Sequence, residues 1–427
     1  MTAALLPREL RRAISPYTGI VRSLEECLHS TTDPPLHQFA AEGGAIGRAA
    51  RSGGAELERR EAAAAAVGEA LERYSAGIVP HDRLLVGTAR ELGADAVAPE
   101  RFALFSPRQY AQPSFRFRPF TAETRIAWVE AWSLSDRRRA LVPAELVFLG
   151  PAVPAGCVSI GYATSSGAAC AREVEEALVR GLYELLERDA FMIVWANRLS
   201  LPALDWTADP WITAVDATVF SAAGLSYRAI DLSCFHRLPC VLGVVRAPSG
   251  IQGALGVGAG TAATIERAWC KALAEGFAAR AASVKLDLVA GGGRLSAGDI
   301  RSFDDHIRYY AGRHAAAAFL DASDELRPTA AVPLLEGGTS AERVEALCAR
   351  VEAAGATAYA VDVTSPDVRE LGLVVVKVIA PELCPLEAAH DARFLGGARL
   401  YEAPWRLGLR PHPLRERDLN PDPHPFP

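Results

Sequence analysis

The chain has 427 residues, of which 50% are hydrophobic and 22% charged, with a formal net charge of −6. This composition supports a large buried core and excludes a disordered chain, and the mild acidity argues against a nucleic-acid binder, which usually presents a basic face. No run approaches the roughly 18 apolar residues that span a bilayer. Since the first residues also lack the order of a signal peptide, we expect a cytoplasmic protein. The eight cysteines are scattered without a Cys-x-x-Cys pair, which is typical of reduced thiols.

The predicted elements follow in chain order. Residues 1–55 form an N-terminal segment of irregular structure with one short strand, and helices rich in Ala, Leu, Glu and Arg are predicted over 56–76, 172–196 and 262–283. Strands are predicted over 100–150 and 225–260, and the glycine-rich end of the second region indicates a strand in close backbone contact. Helices and short strands alternate from 300 to 380. Since no linker divides these elements, the sequence predicts one large α+β unit.

A pattern of acidic residues occurs on both the first and the second predicted helix. It reads E-A-x6-E-x-L-E-R, and a third helix carries a weaker copy. Positions i, i+3, i+4 and i+8 share one helix face, so the acids of each copy align. A repeat of this length is too long for a solenoid and indicates duplicated subdomains. The aligned acids are Glu61, Glu69 and Glu72 on the first helix and Glu176, Glu184 and Glu187 on the second; the weaker copy has Arg267, Glu275 and Arg280.

Two interpretations of this pattern stay open on spacing alone. A ladder of Glu176, Arg180, Glu184 and Arg188 at i+4 steps is typical of a solvated helix with surface ion pairs. Alternatively, the two acidic faces converge, and carboxylates held close together are costly unless a cation lies between them. Mg²⁺ prefers such oxygens and usually bridges to phosphates, which Arg also binds. The second interpretation is a nucleotide–Mg²⁺ site without a P-loop or a kinase signature.

Several segments together resemble the YcaO family, in its azoline-forming cyclodehydratase branch. The resemblance covers most of the chain and depends on the order and spacing of the segments. It implies duplicated helix and sheet subdomains around a nucleotide cleft, with an ATP-binding catalytic domain over residues 56–410 and a Pro-rich tail over 411–427 that reaches the active site. The segments are SPYTGIVR (15–22), GEALERYS (68–75), ATSSG (163–167), EEA (175–177), LYELLERDA (182–190), FLGG (394–397) and LNPDPHPFP (419–427).

The resemblance also implies site residues. By similarity, Mg²⁺ would be held by Glu69, Glu72, Glu184 and Glu187, and ATP would be bound by Glu69, Glu72, Arg73, Glu176, Glu184, Glu275 and Arg280. The implied catalytic groups are Glu187, Arg188 and the terminal carboxylate of Pro427. A tail of the form P-x-P-x-P is a stiff polyproline segment, so it can place its end at a fixed position. Without the resemblance the tail would read as a flexible segment or a protein ligand.

The implied activity is ATP-dependent conversion of Cys, Ser or Thr residues in a ribosomal precursor peptide to thiazoline or oxazoline rings. The chain length leads us to expect a separate ThiF-like (E1-like) partner that captures the leader peptide, while a homodimer stays open. Three departures from the family pattern, Ala55, Ala65 and Ala278 for Lys, Ser and Gln, should weaken nucleotide binding by ~1 kcal/mol for each lost hydrogen bond. Thioamidation, amidine formation and a non-catalytic scaffold are the alternatives.

Overall fold

A computed structural model describes residues 5–30, 33–45, 48–221, 224–248 and 253–427. The α-helices are α1 (Arg8–Arg12), α2 (Arg59–Gly77), α3 (Ala89–Leu92), α4 (Pro107–Tyr110), α5 (Val174–Asn197), α6 (Pro210–Val215), α7 (Ile265–Val289), α8 (Phe303–Tyr309), α9 (Ser340–Ala353), α10 (Pro366–Glu370) and α11 (Arg399–Arg406). The strands are β1 (Val21–Glu26), β2 (His37–Ala45), β3 (Arg48–Glu56), β4 (Leu85–Gly87), β5 (Ile126–Ser133), β6 (Arg138–Pro143), β7 (Ala168–Ala171), β8 (Ala203–Asp205), β9 (Ser226–Asp231), β10 (Cys240–Arg246), β11 (Leu255–Thr261), β12 (Leu326–Pro328), β13 (Tyr359–Asp362) and β14 (Val374–Ile379).

These strands form three sheets. The first has the order β1-β2-β3 and is antiparallel throughout. The second has the order β11-β10-β9-β8-β12, and the third has β4-β5-β13-β14-β7 with β6 paired to β5. The long helices pack on the sheets, so the prediction of an α+β unit is confirmed.

Three strand–helix units organise the fold. In each, a strand leads into a long helix after a short connection: β3 into α2, β7 into α5, and β11 into α7. Each helix also contacts the strand of another unit, because α2 packs on β7, α5 on β11, and α7 on β3. The third copy, which is weak in sequence, is therefore a complete member of the set, and the three units contact one another in a cycle.

Glycines allow α7 to approach its sheet closely. A Cβ on Gly256 would lie 2.3 Å from the carbonyl oxygen of Gly276, and one on Gly260 would lie 2.1 Å from that of Ala268. Real Cβ atoms do not come so near backbone atoms, so only glycine fits at these strand positions. The close backbone contact predicted for the glycine-rich strand is confirmed.

Gly260→Ala is expected to lower the free energy of unfolding by roughly 1–3 kcal/mol, because the helix must move away from the strand. The matched change Gly68→Ala lies inside α2, where no described atom is within 4 Å of the added Cβ. It should raise stability by about 0.5–1 kcal/mol, since alanine restricts the unfolded chain more than glycine does. Urea unfolding of both variants checks this, and equal stability of Gly260→Ala and the parent protein would contradict the packing argument.

The prediction of an irregular segment over residues 1–55 was wrong. Its described part contains α1, β1, β2 and almost all of β3. Val21, Phe39 and Ala41 of this sheet are buried with Ala62 and Ala66 of α2. The strands are rich in Gly, Ala and charged residues, so they lack the clear alternation by which a half-buried strand is recognised. In the same described ranges, no helix is both long and apolar enough to cross a membrane.

Candidate active site

The three helices bring their glutamates into one cleft. We call Glu69, Glu72, Glu184, Glu187 and Glu275 the acid cluster. Glu69 and Glu72 lie near enough to Glu184 to feel its charge, and Arg188 feels the charges of Glu184, Glu187 and Glu275. The convergence of acidic helix faces, one of the two interpretations of the repeat, is therefore present in the fold.

A backbone hydrogen bond fixes one glutamate of each unit. Glu69 accepts from the N–H of Gly53 at 2.7 Å, Glu184 from that of Gly167 at 3.0 Å, and Glu275 from that of Ala259 at 3.4 Å. The donor precedes its acceptor by 16, 17 and 16 residues. Glu275 is therefore the structural counterpart of Glu69 and Glu184, which the weak third copy in the sequence only suggests.

Side chains also join each unit to the next. Glu72 of the first unit accepts from the N–H of Cys170 in the second, at 2.8 Å. Glu187 of the second unit forms an ion pair with Lys271 of the third, at 3.1 Å. Arg267 of the third unit returns to Glu61 of the first, at 3.1 Å. The polar contacts thus follow the same cycle as the packing of helices on strands.

Burial and mutual repulsion raise the pKa values of glutamates in the acid cluster. Burial raises the pKa of Glu69, that of Glu72 to about 8, and that of Glu275 to about 7. Arg73 lies 2.5 Å from Glu69, Arg188 lies 3.3 Å from Glu184, and Lys271 pairs with Glu187. Lys377 and Arg180 lie near enough to feel the charges of Glu184 and Glu72. The raised pKa values show that the cleft disfavours a full set of negative charges on these five carboxyl groups, so a bound cation would allow more of them to ionise.

The surface-ladder interpretation holds for one end of α5 only. Glu176 and Arg180 form an ion pair whose side chains are 42% and 57% exposed. About two helical turns further on, the side chains of Glu184 and Arg188 are 24% and 12% exposed. The same spacing thus gives a solvated pair at the start of the helix and a buried pair in the cleft, so Glu176 lies at the outer margin of the site.

Other predicted site residues are more dispersed. Arg280 follows Glu275 on α7. Its guanidinium forms a buried ion pair with the carboxylate of Asp33, at 2.9 Å. Arg73 also donates to the carbonyl oxygen of Arg51 at 2.9 Å, which ties α2 to β3. Of the three departures, Ala55 lies on β3, Ala65 on α2 and Ala278 on α7, the strand and helices that carry the first and third units.

Sequence reasoning missed two lysines and an aspartate. Lys271 contacts both Glu187 and Glu275, and Lys377 donates to the carbonyl oxygens of Thr164, at 2.6 Å, and Ser166. The chain has only three lysines in all, and that rarity is the signal that could have indicated them. Asp189, which follows Arg188, binds Arg399 through both of its oxygens.

The residues of the cleft fit Mg²⁺ with a nucleotide phosphate. Among the described residues, Oε1 of Glu187 and both Nε and Nη1 of Arg188 are buried without a hydrogen-bond partner. Within the same ranges, no three Asp, Glu, His or Cys side chains converge tightly enough to enclose a metal ion. Mg²⁺ is usually bound by one or two carboxylates together with substrate phosphates, so an open acidic cleft suits it better than a closed cage.

The Pro-rich tail is held along its length by side chains. Five successive carbonyl oxygens accept hydrogen bonds, so a segment without internal hydrogen bonds is nonetheless fixed. The donors are Arg393 to Asn420 at 2.8 Å, His390 to Pro421 at 3.0 Å, Trp195 to Asp422 at 3.0 Å, Tyr310 to Pro423 at 2.5 Å, and His306 to His424 at 2.8 Å.

The end of the tail lies against the acid cluster. Phe426 is fully buried and its ring packs on Phe191, 4.8 Å between centroids. The guanidinium of Arg188 lies over the same ring, 4.0 Å from its centroid. Pro427 therefore follows a residue whose ring lies against the guanidinium of Arg188.

Acid is expected to release the tail. Burial lowers the pKa of both His306 and His390 to about 4, and it holds the pKa of His424 well below its usual range. Such groups bind protons more readily when unfolded, so the stability present above about pH 6.5 is lost as the pH falls towards 4. Protonation of His306 alone should lower the free energy of unfolding by about 3 kcal/mol by about pH 4.

Urea unfolding between about pH 7 and 4 measures this dependence. His306→Gln should show a shallower dependence than the parent protein, because the glutamine has no proton to bind in that range. A pH profile unchanged by the substitution would contradict the assignment.

Comparison with known proteins agrees with this geometry. Residues 53–384 match the profile of a family described as YcaO cyclodehydratase, ATP- and Mg²⁺-binding. A solved heterocyclase in complex with substrate and cofactor is 26% identical to this chain, with a TM-score of 0.83. The match covers 100% of this chain and 57% of the heterocyclase chain. The E. coli microcin synthetase McbBCD complex with pro-MccB17 bound has a chain 14% identical, with a TM-score of 0.65 over 97% of this chain and 98% of that one, and shows a common fold.

A curated relative, an uncharacterized protein from Methanothermobacter thermautotrophicus, is 30% identical over 250 residues. The match covers 57% of this chain and 60% of that protein. The chain thus spans little more than half the length of both this relative and the heterocyclase. The family profile, however, covers most of the chain, including all three strand–helix units except the first part of β3. The chain therefore belongs to the YcaO family of ATP- and Mg²⁺-binding cyclodehydratases.

Proposed function

We propose that the chain catalyses ATP- and Mg²⁺-dependent cyclodehydration of Cys, Ser or Thr residues in a ribosomally made precursor peptide. The acid cluster carries this proposal, because desolvation and mutual repulsion raise the pKa of Glu69 and Glu72, and a cation among these carboxylates would relieve that cost. Mg²⁺ bound to a nucleotide supplies that charge and leaves room for phosphate beside Arg188. Support also comes from the similarity to a heterocyclase that binds substrate and cofactor.

The proposed reaction couples closure of each ring to the transfer of one phosphoryl group from ATP. The thiol sulfur or the hydroxyl oxygen of the reacting residue attacks the carbonyl carbon of the preceding amide and loses its proton. The amide oxygen takes the terminal phosphoryl group of ATP. The carbon–oxygen bond then breaks, the nitrogen loses its proton, and a C=N bond closes the ring. The products are an azoline, ADP and phosphate that carries the former amide oxygen. Phosphorylation matters because an amide oxygen is otherwise a poor leaving group.

We assign roles to the chain's residues within this scheme. Glu69, Glu72, Glu184 and Glu187 would hold Mg²⁺, one or two of them directly and together with nucleotide phosphates, and the ion would neutralise phosphate charge when bound. Arg73 and Arg188 would contact phosphate, and the buried guanidinium donors of Arg188 are suited to it. Glu275 and Lys271 would add one acidic and one basic side chain to the cleft. Glu176 would lie at its outer margin, toward the nucleoside. Arg280, paired with Asp33, would support the nucleotide from the far part of α7.

The tail and the partners belong to the same proposal. In a chain that ends at Pro427, its carboxylate would lie beside Arg188 and could accept the proton released on ring closure. We also propose a ThiF-like (E1-like) partner protein that presents the leader peptide. A homodimer is a further option that size-exclusion chromatography of the purified chain would test.

One experiment separates this function from its alternatives. The protein is incubated with a candidate ThiF-like partner, a candidate precursor peptide, ATP and Mg²⁺, and the peptide mass and phosphate release are measured. Loss of one water per ring, matched by one phosphate, supports cyclodehydration. Exchange of oxygen for sulfur would instead indicate thioamidation. An unchanged mass with peptide bound would favour a scaffold, the reading that Ala55, Ala65 and Ala278 support.

A further inference from the structure

A cavity borders Arg188 beside the acid cluster. Its wall is formed by α5, the end of β14 and loops on either side, and it contains about 700 Å³ of empty space that is partly open to solvent. Most of the wall is apolar: Leu104, Leu146, Leu185, Ile379, Leu383 and Phe394 line it. A concave apolar site with a few polar groups is the usual form of a ligand pocket.

The polar groups of the wall are largely engaged with backbone oxygens. The ammonium of Lys377 donates to the carbonyl oxygens of Thr164 and Ser166, and the hydroxyl of Tyr162 donates to that of Ala392 at 3.1 Å. Both side chains therefore have their hydrogen-bonding capacity directed into the protein. Away from Arg188 the cavity selects for an apolar occupant, because a charged or strongly polar group would lose its water there without a new partner.

Arg188 joins this cavity to the acid cluster. It lines the cavity and also forms ion pairs with Glu184, at 3.3 Å, and Glu187, at 3.4 Å. In the proposed function, which this inference depends on, the reacting amide oxygen must approach phosphate at the cluster. The carbonyl carbon of that amide is bonded to the Cα of the residue before the Cys, Ser or Thr. The side chain of that residue therefore lies within reach of the cavity when the oxygen is at Arg188.

We propose that this cavity binds an apolar side chain of the residue that immediately precedes the reacting Cys, Ser or Thr. The reacting residue is too small and too polar to fill a space lined by six large hydrophobic side chains. An apolar group such as the side chain of Leu or Phe matches the polarity of the wall. The cavity is thus the specificity pocket of the site.

A second cavity offers a path for the rest of the peptide. It has about 560 Å³ of empty space and shares Tyr162 and Ala163 with the first cavity. Phe148 and Val153 continue its wall away from Arg188. An extended peptide with its apolar side chain in the first cavity can therefore continue along the second.

Photocrosslinking tests the pocket independently of turnover. The probe is a synthetic twelve-residue peptide with a diazirine analogue of leucine directly before a single cysteine; a control peptide carries the analogue three residues earlier. The purified protein is irradiated with each peptide in the presence of ATP and Mg²⁺, and the crosslinked residues are mapped by mass spectrometry. We expect crosslinks to Leu146, Ile379 or Leu383 from the first peptide only. Crosslinks that map elsewhere, or none above the control, would overturn the pocket.

A matched pair of variants sharpens the result. Ala163→Phe places a large ring into the cavity from a half-buried loop position, whereas Ala122→Phe makes the same change at a half-buried loop position outside both cavities. The crosslinked yield should fall about tenfold in the first variant and stay unchanged in the second. Equal yields in the two variants count against the pocket. Pocket crosslinks, together with a precursor peptide that loses no water when the partner protein, ATP and Mg²⁺ are present, would leave the pocket standing and contradict cyclodehydration.

Discussion

Glu187→Gln is expected to abolish peptide-dependent ATP turnover, with a loss in kcat of about 10²–10³-fold or more. The side chain of Glu187 is fully buried, and its carboxylate contacts Lys271 at 3.1 Å and Arg188 at 3.4 Å. Glutamine keeps the shape but removes the charge that holds these cations and would bind the metal. Phosphate release in the presence of precursor and partner measures the effect.

The same substitution should leave the protein folded. In the variant Arg188 and Lys271 keep Glu184 and Glu275 as nearby counter-charges, so the melting temperature should not fall far. Glu175→Gln is the matched control, since Glu175 is exposed on the first turn of the same helix. It should change turnover by less than about twofold, as surface substitutions usually do. Full activity of Glu187→Gln would show that the assignment of the cluster is wrong.

Asp189→Asn is expected to lower the free energy of unfolding by about 3–5 kcal/mol. Asp189 is fully buried and accepts from Arg399 at 2.7 and 2.8 Å, from His236 at 2.9 Å, and from the N–H of Cys384 at 2.9 Å. Burial opposes its charge, but Arg399 and then His236 hold its pKa well below the usual range. The amide of asparagine would leave the buried guanidinium without its counter-charge.

Urea unfolding of Asp189→Asn measures this loss, and Asp324→Asn is the control. Asp324 is exposed, so its substitution should shift stability by no more than about 0.5 kcal/mol. Equal midpoints for the two variants would contradict the view that Asp189 anchors α5 to α11. Because Asp189 directly follows Arg188, its loss should also disorder the cleft before the whole protein unfolds.

The helices of the site were predictable because their sequences carry the signal. Periodic Ala, Leu and Glu placed them at 56–76, 172–196 and 262–283, and the structure has them at Arg59–Gly77, Val174–Asn197 and Ile265–Val289. The spacing on each helix also indicated which glutamates share a face. Contacts within a helix are local, so a single sequence suffices to find them.

Contacts between units could not be found in this way. The ion pair of Lys271 with Glu187 joins residues 84 positions apart, and that of Arg267 with Glu61 joins residues 206 apart. Nothing in local spacing indicates either pair. The anchors of the tail are equally distant, since Tyr310 lies 113 positions from Pro423. The N-terminal sheet was missed for a different reason, the weak alternation of its Gly- and Ala-rich strands.

The cycle of three strand–helix units has a consequence for how this cleft can evolve. Head-to-tail contacts that close after three steps are also how three separate copies of one unit would assemble into a ring. In such a trimer every substitution would occur three times. In a single chain each unit changes alone, so the third unit has Ala278 and Ala279 where the second has Glu187 and Arg188, and it supplies Lys271 instead. Fusion thus permits each unit to contribute a different set of charged side chains to one cleft.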